Sequence, residues 1–195
     1  MKFTLANIVT LSRLFIAPIF LVCILMDSPA GVTAALVLFT VGSITDWLDG
    51  FLARKYGEVT DHGIFLDPLA DKVLVVSAFV AFYLINAMPL WMVIVIVVRD
   101  FITTAMRSIA DDRGMVMQTS YIAKVKTALQ MTFVVYALSL YWVAIAWPDN
   151  AVSSYAYAIL MSQWTYYAIF IVTLLTIITA VMYIISNRGL FRRGS

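Results

Sequence analysis

The sequence predicts an all-α integral membrane protein: six transmembrane helices preceded by a short N-terminal interfacial helix. Three observations lead there. The 195 residues are 63% hydrophobic with a mean hydropathy of +0.96, and only 12% are charged, about half of the roughly 25% usual for a soluble domain. Several apolar stretches reach the roughly 20 residues that a helix needs to cross a bilayer. The 13 lysines and arginines, finally, all fall on one side if six spans alternate in direction.

Residues 1–10 read as the interfacial helix, running into a first span over about 11–26. Asn7, Thr10, Ser12 and Arg13 interrupt what would otherwise resemble the apolar core of a signal peptide, and no small-residue cleavage site follows, so this span is expected to be retained. Asp27-Ser28-Pro29-Ala30-Gly31 is a turn cluster. A second helix is expected from about Val32 to Tyr56, with Gly57 as its C-terminal stop. Glu58 to His62 forms a short polar connection. A third helix starts at Gly63 to Asp67, with Pro68 tolerated in the first turn, and runs to about Asn86. The fourth covers about 90–112 and the fifth about 121–146. Residues 151–187 exceed one span, so a short helix to about 161 and a last span over about 163–186 are expected. A basic tail, 188–195, follows. The whole chain, 1–195, is read as one membrane domain. Cys23 lies in an apolar run and allows no disulfide framework.

The cations set the orientation. They lie at the N-terminus, in the 54–72 and 99–126 regions and in the tail, whereas loops 27–31, 86–90 and 147–153 contain none. The positive-inside rule then places both termini and the cluster of aspartates described below on the cytoplasmic side. Trp147, Trp164, Tyr166 and Tyr167 would form an aromatic belt at the opposite surface. The cations are dispersed along a membrane face, which speaks against a nucleic-acid partner.

One stretch departs from this apolar pattern. Asp46, Asp49, Asp67 and Asp71 fall within 26 residues of each other between two apolar helices. Each ionisable residue at a helix centre costs roughly 2.5–3.5 kcal/mol to insert, so something must neutralise them. Residues three and four apart share a helix face, which puts Asp46, Asp49, Gly50 and Ala53 on one stripe of the second helix. Gly63, Asp67 and Asp71 line one stripe of the third. Antiparallel neighbours would bring four carboxylates to one pocket at the cytoplasmic end. Oxygen donors without a Cys or His cluster suit a hard divalent cation, magnesium or manganese. Four carboxylates could hold two such ions against a phosphate-bearing substrate. Gly50 and Ala53 leave room beside the acids, and Arg54 offers a fork suited to phosphate. The bland alternative is pairing with Arg54, Lys55 and Lys72 alone; it leaves the two stripes and their small residues unexplained. An ion transporter would also carry intramembrane acids, but these sit at one face, and no inverted repeat is evident.

The pattern Asp46-x2-Asp49-Gly50-x2-Ala53-Arg54-x8-Gly63-x3-Asp67-x3-Asp71 resembles the signature of the CDP-alcohol phosphotransferase family at every specified position. The resemblance implies that family's fold: a six-helix membrane enzyme, homodimeric, with its active site at the cytoplasmic face. Members displace CMP from a CDP-linked lipid or alcohol by attack of an acceptor hydroxyl on the β-phosphorus. It further implies that Asp46, Asp49 and Asp67 are metal ligands. Asp71 would contribute to the metal site and act as general base, and Gly50, Ala53, Arg54 and Gly63 would contact the cytidine diphosphate portion.

A second polar set accompanies the acids: Arg99, Asp100, Arg107, Lys124, Lys126, Thr127 and Gln130. Arg99 and Asp100 stand well inside an apolar helix, where a stray ion pair is costly. Several cations beside a metal site suit an anionic acceptor. Asn7-x2-Thr10-x2-Arg13-x4-Pro18, Arg99-Asp100-x6-Arg107 and Lys124-x-Lys126-Thr127-x2-Gln130 look like the phosphatidylglycerophosphate synthase branch of the family, with Asp100 where Glu is expected. The similarity covers about residues 5–130. It implies CDP-diacylglycerol and sn-glycerol 3-phosphate as substrates, within membrane lipid. Arg107, Lys124 and Lys126 would hold the acceptor's phosphate, and Asn7, Thr10, Arg13, Arg99, Asp100 and Gln130 would support the site. Siblings using phosphatidylglycerol, inositol phosphate or serine as acceptor share the same signature.

Overall fold

A computed structural model describes the backbone of residues 5–56, 63–112 and 121–187, and the side chains of 12–45, 72–110, 122 and 125–187. Among the described residues there are seven helices and no strand: α1 (Leu5–Leu25), α2 (Pro29–Tyr56), α3 (Gly63–Leu84), α4 (Leu90–Asp112), α5 (Tyr121–Ala146), α6 (Ala151–Leu160) and α7 (Gln163–Ser186). The helices expected from the apolar runs are present with ends within about three residues of the readings. The start differs. Residues 5–10 do not form a separate helix but continue into the first apolar stretch as α1, which carries Pro18 within it.

Two stretches, Val125–Ala146 and Ala151–Ser186, are long and apolar enough to cross a membrane. The second is divided by a turn in which Met161 caps α6 and Ser162 caps α7, its hydroxyl accepting from the Thr165 amide at 3.4 Å. Shorter apolar segments span Ser12–Leu25, Pro29–Thr45 and Lys72–Leu84.

Helix α1 packs on α2 and α3, α5 on α2, α6 and α7, and α4 on α3 and α7. Aromatic rings fill the seams: Phe20 of α1 lies 5.9 Å from Phe39 of α2, and Phe82 of α3 meets Phe133 of α5 edge-on at 6.2 Å. Where the surroundings are as apolar as the side chains, association rests on such packing and on polar contacts between helices. Gly42 lets α2 approach α3 closely, because a Cβ there would stand 2.7 Å from Leu74 Cδ2. The outward surface is apolar as well: Phe15, Val22, Met26 and Tyr155 are exposed, and Trp164 is 83% exposed.

The turns joining α1 to α2, α3 to α4 and α5 to α6 each contain one residue in the left-handed region, Asp27, Asn86 and Asp149 (φ 46°, 61° and 66°). Asp and Asn tolerate that conformation better than other side chains do. These turns gather at one end of the molecule. Tyr141, near the end of α5, donates to Asp27 Oδ1 at 2.9 Å, and Trp142 Nε1 donates to Thr33 Oγ1 at 3.0 Å. The turn at 86–89 and the one at 160–162 line a common shallow cavity of about 340 Å3.

Candidate active site at the cation-bearing end

With the turns at one end, the direction of the chain fixes what meets at the other. The C-terminal part of α2 bears Asp46, Asp49, Gly50, Ala53 and Arg54, and the N-terminal part of α3 bears Gly63, Asp67 and Asp71. All are helical, as the spacing requires, and the two segments are consecutive in the chain. The side chains at these positions lie outside the described residues, as do those of Asn7, Thr10 and Lys124. Residues 57–62, with Gly57 and His62, Arg113 and the tail 188–195 are likewise outside. Among the described residues no group of three or more His, Cys, Asp or Glu could hold a metal ion.

The second polar set is described, and it forms a cluster. Asp100 is its centre. Its Oδ1 accepts from Arg99 Nη1 and from Lys126 Nζ, each at 2.9 Å. Gln130 Nε2 stands 3.5 Å from Oδ2. The Asp100 backbone carbonyl accepts from Lys72 Nζ at 2.5 Å and from the Thr104 hydroxyl at 2.8 Å. The second arm of Arg99, Nη2, donates to Thr179 Oγ1 of α7 at 3.2 Å. Four helices, α3, α4, α5 and α7, are therefore joined through one pair of adjacent residues.

Burial distinguishes the members. Lys126 is 1% exposed and Gln130 3%, while the Arg99 and Asp100 side chains are 12% and 14% exposed. A lysine so enclosed is not a surface cation that merely sets topology; its charge is held by the Asp100 carboxylate at hydrogen-bond distance. Arg107 is exposed. It lies seven residues after Asp100, two helical turns along the same face of α4. Arg13 is buried within α1. The spacing of the sequence brought out Arg99, Asp100, Lys126 and Gln130 as a set, and the structure brings these together. It adds two members that the pattern did not: Lys72, the residue after Asp71, and Thr179, whose hydroxyl sits in a stretch that reads only as an apolar span.

The cavity at the turn end is lined by Tyr83, Asn86, Pro89, Leu160, Ser162 and Tyr166 among others. It carries no carboxylate and no cation, so it is unsuited to a diphosphate or its counter-ions.

Comparison with known proteins shows the family. The family model for CDP-alcohol phosphatidyltransferase matches residues 3–161. The chain belongs to that family. A CDP-diacylglycerol–glycerol-3-phosphate 3-phosphatidyltransferase of Bacillus subtilis (strain 168) is 34% identical over 182 residues, covering 85% of this chain and 94% of the relative. One of the same description from Escherichia coli (strain K12) is 32% identical over 172 residues, covering 85% and 92%. A probable phosphatidylglycerophosphate synthase of Mycobacterium tuberculosis (strain ATCC 25618 / H37Rv) is 38% identical over 129 residues, 65% of this chain and 61% of the relative. The family match takes in the signature helices and the whole Asp100 cluster except Thr179, which lies beyond residue 161.

Proposed function

We propose that this protein is a membrane-embedded phosphatidyltransferase. It moves the phosphatidyl group of CDP-diacylglycerol onto sn-glycerol 3-phosphate, giving phosphatidylglycerophosphate and CMP. The observation that carries this reading is the full signature on α2 and α3 in a chain that aligns over most of its length with relatives named for that reaction. The preference for a phosphate-bearing acceptor is supported by the cations gathered at the same end.

In this reading six long helices span a bacterial inner membrane in a single domain, 1–195, with the start of α1 at the interface. Both termini and the active site face the cytoplasm, as the distribution of Lys and Arg supports, and two copies form a homodimer. Asp46, Asp49, Asp67 and Asp71 hold a divalent cation, Mg2+ or Mn2+, as a pair of ions. When bound, the ions offset negative charge on the diphosphate and on departing CMP. Gly50, Ala53 and Gly63 provide the space in which the cytidine diphosphate lies against the helix backbone, and Arg54 pairs with a phosphate. Asp71 accepts the proton of the acceptor hydroxyl as that oxygen attacks the β-phosphorus. Lys124 and Arg107 meet the acceptor's phosphate, and Lys126 contributes its charge from behind. Asn7, Thr10, Arg13, Arg99, Asp100 and Gln130 support these groups.

The test is CMP release by the purified protein in detergent with CDP-diacylglycerol, in magnesium or manganese and in chelator. Glycerol 3-phosphate, inositol phosphate, serine and phosphatidylglycerol are offered separately. Metal-dependent release with glycerol 3-phosphate alone is expected. Release only with another acceptor would keep the chemistry and change the substrate; no release with any would reject the reading.

A further inference from the structure

The structure assigns Asp100 a specific part in that site: it is the positioning residue that holds Arg99 and Lys126 ready for the acceptor's phosphate. The inference rests on the acceptor reading given above and deepens it.

Four features carry it. Two cations from different helices converge on one carboxylate oxygen, Arg99 Nη1 from α4 and Lys126 Nζ from α5, both at 2.9 Å. The two positive charges are thereby fixed in place by charge-assisted hydrogen bonds before any ligand arrives. Lys72 joins through the Asp100 backbone carbonyl, so three cations gather around one acidic residue, two of them on its carboxylate, and leave an excess of two positive charges among the described members. A doubly charged phosphate monoester matches that excess; a neutral alcohol does not. Arg99 also keeps an unused donor, because its buried Nε has no hydrogen-bond partner among the described residues. The face of α4 that carries Asp100 leads, finally, to Arg107, which is exposed and so accessible to an incoming anion.

Lys126 is too enclosed to reach out to a ligand. Its contribution to the site depends on where Asp100 holds it, and on its remaining charged. The Asp100 carboxylate secures both. The negative charge therefore matters more than the shape of the side chain. Thr179 fixes the other arm of Arg99 and would share the task in a smaller degree.

Steady-state KM values for both substrates, measured on wild type and on Asp100→Asn, Asp100→Glu and Thr179→Val, test this. Asp100→Asn is expected to raise KM for glycerol 3-phosphate about tenfold or more while KM for CDP-diacylglycerol stays within about twofold. Asp100→Glu, which keeps the charge, is expected to return KM for glycerol 3-phosphate to within about threefold of wild type. KM values that rise together, that do not move, or that suffer equally in the Asn and Glu variants would overturn the inference. If Asp100→Asn does not yield folded protein, Thr179→Val decides: it should raise KM for glycerol 3-phosphate about two- to threefold and leave KM for CDP-diacylglycerol alone. An unchanged pair of values there would overturn it too. Wild type is measured first. No CMP release with glycerol 3-phosphate means that the acceptor reading has failed and this inference with it, whereas normal wild-type turnover with an unsplit Asp100→Asn overturns the inference alone.

Discussion

The two ends of this helical bundle are held together by different means. At the turn end, short connections close with residues suited to left-handed backbone, helix caps and single hydrogen bonds such as Tyr141 to Asp27 and Trp142 to Thr33. Each of these two bonds joins one residue of α5 to one residue at or near the α1–α2 turn. At the other end, described contacts from α3, α5 and α7 converge on the adjacent Arg99 and Asp100 of α4, and the partners include two lysines, one of them buried. Buried ion pairs are a poor way to gain stability, since desolvation consumes most of the attraction. A protein that wanted only to hold its helices would do better with leucines. The turn end is closed by contacts that serve the fold, whereas the charges at the other end fit the proposed site better than they fit a purely structural role.

Substitutions at each end can break that contrast. The largest effect is expected from Asp49→Ala, which removes a proposed metal ligand: CMP release should fall by about a thousandfold or more, equivalent to roughly 4 kcal/mol, with the thermal midpoint in detergent nearly unchanged. Activity that survives would place the chemistry elsewhere. Lys126→Met comes next. It leaves Asp100 without its most enclosed partner and should destabilise the folded state by about 3 kcal/mol, read as a lowered midpoint, together with a loss of turnover. Tyr141→Phe at the turn end should cost about 1–2 kcal/mol, the worth of a hydrogen bond to a charged group, with kcat/KM within about twofold of wild type. Ser162→Ala should remove the cap of α7 for about 1 kcal/mol, again in stability rather than rate. A Tyr141 or Ser162 variant that lost turnover out of proportion to its stability would show the ends to be coupled, and the division of labour would be wrong.

The sequence made much of this visible, and the reasons differ by region. Helix limits were legible because apolar runs are bounded by Pro, Gly, Asp and Asn, residues that end helices for steric reasons. The signature was legible because one helix turn converts spacing into a shared face, as for Asp46 and Asp49 or Asp67 and Asp71. Whether 5–10 would form its own helix was not, since nothing in the polar residues Asn7 and Thr10 forces a break; α1 simply continues. The Lys126–Asp100 pair was half legible. Both residues stood out as ions in apolar helices, but spacing cannot say how two separate helices are rotated about their axes. Lys126 thus read as a group facing an outside phosphate, whereas the structure shows it turned onto Asp100 with 1% of its surface exposed. Thr179 gave no signal at all. A threonine in a membrane-like helix ordinarily bonds back to its own chain, as Thr173 and Thr176 do, and only the fold shows that Thr179 also receives Arg99.

That last bond bears on how the molecule is made. Arg99 and Thr179 are 80 positions apart, in α4 and α7. A ribosome adds residues in order, so the guanidinium is made long before its hydroxyl partner exists, and the bond cannot close until α5, α6 and most of α7 have been synthesised. The cation-bearing end is the last part of the bundle to be completed, and a nascent chain halted before α7 would present an unfinished polar seam to the insertion and quality-control machinery.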